Sequence, residues 1–157
     1  MKSIVFLLVA LPARIASHFP WVGPLVMRLV VGYVFMMTGW AKLSNLPQMI
    51  QNFSEWGIPF PGILTPSVSA VECFGGAMLI LGLFTRIPAA MLIVVMIVAI
   101  KVAKWENADS LETLLGFEEA TYLAAFLWLA IAGPGRASLD RLLLRMTRQG
   151  NESEDVR

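Results

Sequence analysis

Residues 69–84 read SAVECFGGAMLILGLF, and Glu72 is the one charge among them. With Ser67 and Val68 ahead of it, the run approaches the length of a helix that crosses a bilayer, where roughly 20 residues cover about 30 Å of hydrocarbon. An unpaired, ionised carboxylate in hydrocarbon costs several kcal/mol. Glu72 therefore has a partner, or is protonated, or the run lies outside any membrane.

Composition disposes of the last option. The chain has 157 residues, is 57% hydrophobic and only 15% charged, and has a mean hydropathy of +0.71. Soluble domains are about a quarter charged, and a chain of one-domain length could not cover this much apolar surface in water. A formal net charge of +1 offers no basic field for nucleic acid. Cys73 is the single cysteine. An internal disulfide, a thiolate zinc site and a cysteine-held Fe–S cluster are thereby excluded.

Four apolar runs organise the chain: Trp21–Ala41, broken by Arg28; Ser67–Phe84, broken by Glu72; Ile87–Ala103, with Lys101 near its end; and Ala120–Gly133, led in by Glu118 and Glu119. The last two are short, and snorkelling side chains can make up the difference. Pro59, Pro61 and Pro66 punctuate the gap between the first two runs, Pro88 suits a first helical turn, and Gly133-Pro134-Gly135 stops the fourth. Lipid admits only helices or closed barrels, and the alternation of a barrel strand is absent. The sequence predicts an all-α, integral membrane four-helix bundle over residues 21–137.

The flanks are expected to be amphipathic. Residues 1–20 read as an interfacial or signal-like helix, with Lys2 ahead of a short apolar core. Residues 138–149 read as a basic amphipathic helix on the membrane surface: Leu139, Leu142, Leu143 and Met146 recur at helical spacing, while Arg141, Arg145 and Arg148 fall mostly elsewhere. Ser138 can cap that helix, with Asp140 in its first turn. Residues 150–157 read as a disordered tail.

With four spans both termini share a side. That side collects Lys2, Arg14, Arg28, Arg86, Arg136, Arg141, Arg145, Arg148 and Arg157, against Lys42, Lys101 and Lys104 on the other. The positive-inside rule makes the termini cytoplasmic in a plasma (inner) membrane and turns the acidic segment 105–120 outward.

Topology then names a partner for Glu72. Arg28, Gly32, Phe35, Gly39 and Lys42 are spaced four, three, four and three, one stripe of a helix. Glu72, Gly75, Gly76 and Leu79 share a face of the next span. The glycines let the two helices approach closely, and consecutive spans usually pack together. Lys42, late in the first span, and Glu72, early in the returning one, reach comparable depth; Arg28 lies too far away. A Lys42–Glu72 pair is predicted, with Tyr122 at similar depth and Gln48, Asn52 and Trp56 in the loop above. Such a pair can carry ligand or proton chemistry, or can simply lock helix register. Arg28 reads as structural, snorkelling or holding the turn between Gly133 and Asp140. Met36, Met37, Met78, Met91 and Met96 read as packing, Cys73 as a small core residue and His18 as interfacial.

The same residues carry a family resemblance. RLVVGYVFMMTGWAKL (28–43), ECFGGAMLILGLFTR (72–86) and GPGRASLD (133–140) resemble the DoxX family of small four-helix membrane proteins, over about residues 25–143. The family's pattern of Arg, two glycines and Lys on the first helix falls on Arg28, Gly32, Gly39 and Lys42. Its Glu with two glycines falls on Glu72, Gly75 and Gly76. Its closing turn falls on Gly133, Pro134, Gly135, Ser138 and Asp140. The resemblance implies a subunit role, since the family takes its name from the small membrane subunit of a thiosulfate:quinone oxidoreductase, and most members have no settled activity.

Three functions follow. The first is an accessory membrane subunit of a redox complex, linked to quinone. Haem in a helical bundle usually needs two axial ligands, and the one histidine lies outside the spans, so no haem or Fe–S cluster of its own is expected. A quinone headgroup could dock beside Lys42, Glu72 and Tyr122, near Gly39, Gly75 and Gly76, with Glu72 exchanging a proton. The second is an anchor that assembles a protein partner, or further copies of the chain, on the bilayer. The third is a small proton-coupled transporter, against which a lysine partner for the carboxylate argues.

Overall fold

The computed structural model describes residues 6–105 and 109–154, which are helix and connecting turn with no strand among them. Lys2, Glu106 and Arg157 lie outside the described residues. A π-helical turn at Phe6–Ala10 leads into α1, Leu11–His18. Then follow α2 at Val22–Ser44, α3 at Leu46–Glu55, α4 at Pro61–Leu81, α5 at Arg86–Ala99, α6 at Leu111–Gly116, α7 at Glu118–Ala132 and α8 at Leu139–Glu154. A second π-helical turn, Ile100–Lys104, extends α5.

Two helices, α2 with 23 residues and α4 with 21, are long and apolar enough to cross a membrane, each at a mean hydropathy of 1.5. The other two apolar runs form shorter helices, 14 residues in α5 and 15 in α7. Helix α2 lies along α4 and α5 along α7, and α4–α5 and α2–α7 contacts join the two pairs. The core between them holds Val31, Phe35, Leu79, Leu92, Phe126 and Leu129. Phe35 meets the rings of Phe126 and Tyr122 edge-on, at 4.8 and 5.1 Å between centroids. The outward faces stay apolar: Leu29, Phe74, Ile97, Leu127 and Ile131 are all exposed. In water this would be a liability; against lipid it costs nothing.

Glycine sets how closely α2 and α4 approach. A methyl group on Gly32 would stand 2.8 Å from the Gly76 carbonyl oxygen, and one on Gly39 would stand 2.7 Å from that of Ser69. The buried stripe of α2 is Arg28, Val31, Gly32, Phe35 and Gly39, and that of α4 includes Thr65, Ser69, Glu72, Gly75, Gly76 and Leu79. Helix α4 ends at Gly82, whose φ of 65° is cheap only without a side chain.

Two expectations about connecting segments need correction. The stretch after the first span is not a loop: it folds as α3, whose Phe53 is buried. Pro47 near its start is compatible with a first turn. The last helix also continues through residues 150–154, where a tail was expected. Gly150 is a weak breaker, at about 1 kcal/mol relative to Ala, and no proline follows to stop the helix. Residues 155–157 lie outside the described residues.

Candidate functional site

Lys42 stands in the last turn of α2 and Glu72 midway along α4. The close glycine contacts between these helices bring the two side chains together. The Lys42 ammonium donates to Oε1 and to Oε2 of Glu72, each at 2.7 Å. The two partners are unequally covered: the Glu72 side chain is 2% exposed and that of Lys42 is 26% exposed. Both carboxylate oxygens are engaged by the lysine. An ammonium has three donors, so one N–H of Lys42 is left over.

That exposure opens into a cavity of about 570 Å³ between the helix pairs. Phe35, Val68, Val95, Met96 and Val98 give it apolar walls, and Phe53, Trp56 and Ile58 close it from α3 and the turn after it. Thr38, Lys104, Glu118, Glu119 and Tyr122 add to its polar lining. Lys104 comes within 3.8 Å of Glu119 and lies over the Phe117 ring, 5.7 Å from its centroid. Lys42 and Glu72 both line this cavity, and of the two the Lys42 ammonium is the more exposed.

The structure sorts the other expected site residues. Tyr122 lines the cavity, with its ring on Phe35, but the hydrogen bonds of the pair run only between Lys42 and Glu72. Gly39, Gly75 and Gly76, expected beside a ligand, do not line the cavity. Gly39 and Gly76 sit in the α2–α4 contact, and Gly75 faces Pro88 and Leu92 of α5, because a missing Cβ serves helix approach there. Gln48 and Asn52 bond to each other at 3.1 Å on α3 and stay off the cavity, whereas Trp56 lines it. Phe53 was not foreseen, although Leu46, Met49, Ile50 and Phe53 have the spacing of an amphipathic helix. Nor were Thr65 and Ser69, buried on the Glu72 face, with the Ser69 hydroxyl donating to the Thr65 carbonyl at 2.7 Å. Among the described residues no three His, Cys, Asp or Glu side chains group so as to hold a metal.

The far end of the same helices is built differently. Arg28 is completely buried. Its Nη2 donates to the Ala137 carbonyl, and its Nε reaches the Pro24 carbonyl at 3.4 Å. Asp140 accepts from the amides of Phe84 at 2.6 Å and Thr85 at 3.1 Å, so a residue of α8 caps the start of α5. The Asp140 amide in turn donates to the Gly82 carbonyl at 3.0 Å. Gly133 and Gly135, with Pro134 between them, make the return turn at φ values of 79° and 74°, and Gly135 packs on Pro24. Ser138 caps α8 by accepting from the Arg141 amide at 3.3 Å.

The DoxX family model matches residues 23–105, a segment that includes both Lys42 and Glu72. The chain belongs to the DoxX family. It is 31% identical to the inner membrane protein YqjF of Escherichia coli K12 over 78% of this chain and 92% of that protein. It is 28% identical to the putative oxidoreductase CatD of Bacillus subtilis, over 84% and 95% of the two chains. A second Escherichia coli protein, the inner membrane protein YphA, is 28% identical over 74% of this chain and 87% of its own length. No solved structure matches. A membrane family, two relatives named for the inner membrane and the apolar outer surface agree: this is a membrane protein in contact with lipid.

Proposed function

We propose that the chain is an accessory subunit of a membrane redox complex that binds the headgroup of a quinone in the cavity at Lys42. The observation that carries this reading is the half-presented ammonium: Lys42 faces an apolar cavity of about 570 Å³ with its counter-ion held behind it. A quinone headgroup offers carbonyl oxygens that accept hydrogen bonds, and its tail needs an apolar path. In this arrangement Lys42 donates to the ligand and Glu72 positions Lys42. The resemblance to a relative named as a putative oxidoreductase points the same way.

The reading extends to topology. Helix α2, helix α4, α5 with its π-helical turn, and α7 serve as four spans, with α7 reaching only about 22 Å at 1.5 Å per residue. Both termini are then cytoplasmic and the cavity opens on the opposite side. Reporters fused after residue 157 test this; activity of a periplasm-only reporter would contradict it. A second reading, an assembly anchor whose ion pair only fixes helix register, is favoured by the direct α2–α4 contacts at Gly32, Gly39 and Gly76.

Purification in a gentle detergent, followed by mass spectrometry of co-purifying lipids and proteins, separates the two. Near-stoichiometric quinone on the wild-type chain, lost in Lys42→Met, is expected. Protein partners retained with no quinone would leave only the anchor.

A further inference from the structure

The wall of the Lys42 cavity carries a second carboxylate. Glu119 is the second residue of α7, it lines the cavity, and its side chain is 15% exposed. Its Oε2 is buried and has no hydrogen-bond partner among the described residues. Its Oε1 has the Lys104 ammonium at 3.8 Å, which is longer than a hydrogen bond. Lys104 itself lies over the Phe117 ring and is 40% exposed. A carboxylate covered to this degree normally accepts hydrogen bonds, because bare oxygens leave its desolvation uncompensated.

Glu72 shows the contrast. It is covered more completely, yet both its oxygens accept from Lys42 at 2.7 Å. One carboxylate of the cavity is therefore satisfied and the other is not. Lys42 keeps a spare N–H beside them.

The spare donor and the open acceptor belong to one space. Phe35 and Lys42 line it from α2, seven residues apart, and Glu119 and Tyr122 line it from α7, three apart. Both spacings return to the same side of a helix. The Phe35–Tyr122 ring contact, 5.1 Å between centroids, joins the two stripes.

On the assignment of this cavity to a quinone, we propose that Glu119 selects the reduced form, so that the site binds a quinol in preference to a quinone. A quinone ring carries two carbonyl oxygens, which only accept. One of them can take the Lys42 N–H, but the other sets its lone pairs against the Glu119 carboxylate. A quinol carries two hydroxyls, and each both donates and accepts. One accepts from Lys42 while the other donates to Glu119, which satisfies both open groups. The terminal torsion of Glu119 is soft, so either oxygen can be presented to the ligand. A hydroxyl on a carboxylate makes a charge-assisted hydrogen bond, the stronger kind, and a site that pairs a hydroxyl rejects the analogue lacking it.

Anaerobic binding to the full chain in detergent tests this, with decylubiquinone and its quinol as probes and protein-free micelles as the blank. The wild type should bind the quinol about tenfold more tightly than the quinone, the size of one charge-assisted hydrogen bond. Glu119→Leu should bring that ratio to within about twofold, through lost quinol affinity. Glu119→Gln is the second variant, in case the first folds poorly: its amide can donate to a carbonyl, so the preference should collapse there too. Equal binding of the two forms by the wild type, tighter binding of the quinone, or a preference that survives in either folded Glu119 variant would overturn the role of Glu119 and leave the quinone assignment standing. A wild-type chain that binds neither form would overturn both.

Discussion

At the Arg28 end, every connection runs through backbone: a buried guanidinium on the Ala137 carbonyl, and a carboxylate on the amides of Phe84 and Thr85. At the Lys42 end, a buried carboxylate is met by a side chain, and that side chain is 26% exposed to a cavity. Both ends use charge inside an apolar protein. The first spends it on holding the 133–140 turn and the start of α5, with a guanidinium that is fully buried and whose Nη1 finds no partner among the described residues. The second leaves its spare donor on a partly exposed side chain beside a cavity of about 570 Å³. A charge bound to backbone organises a fold; a charge bound to another side chain and left partly exposed can also be offered to a ligand.

The contrast is broken most severely at the closed end. Arg28→Ala removes a fully buried side chain and strips the Ala137 carbonyl of its donor. Thermal melts in detergent should show a loss on the order of 3–5 kcal/mol, with little folded protein recovered. Next comes Glu72→Gln, which leaves Lys42 with no counter-ion. Breaking a buried pair costs about 3–5 kcal/mol in soluble proteins, and about 2–3 kcal/mol is expected here because unfolded chains in lipid also find partners. Lys42→Met on top of it should restore much of the loss, and simple additivity in that cycle would mean the two residues do not interact.

Asp140→Asn sharpens the comparison from the other side. One carbonyl oxygen then serves two amides, so about 1–2 kcal/mol should go, with no change in ligand binding. The smallest effect belongs to Lys104→Met. Its 3.8 Å contact with Glu119 is 40% exposed on the lysine side, and such pairs contribute about 0.5 kcal/mol or less.

How much of this the sequence disclosed depends on the kind of partner each group has. Lys42 and Glu72 were legible as a pair because both are charged, both interrupt apolar runs, and depth follows from counting residues along spans. The helix-contact role of Gly32, Gly39 and Gly76 was legible from their spacing beside the charges; that Gly39, Gly75 and Gly76 stay off the cavity was not, since spacing does not say which side of a contact is empty. In the sequence, Asp140 reads as a first-turn acid of α8. Its actual partners are amides more than fifty residues earlier, and amides carry no residue-specific signal. Helix α3 reads as a loop in the sequence because Pro47, Gln48, Gln51 and Asn52 are polar or helix-breaking, although its apolar positions are periodic. With it went Phe53, which closes the cavity.

The most direct test of Lys42 as the ligand-facing donor is quinone affinity in the Lys42→Met/Glu72→Gln double variant, measured by quenching of tryptophan emission, since Trp56 lines the cavity. The double variant removes both charges together, so no stranded ion confuses stability with binding. It should stay folded and bind a short-chain quinone at least about tenfold more weakly than the wild type, the equivalent of one lost charge-assisted hydrogen bond. A folded double variant that binds quinone as the wild type does would contradict the role assigned to Lys42.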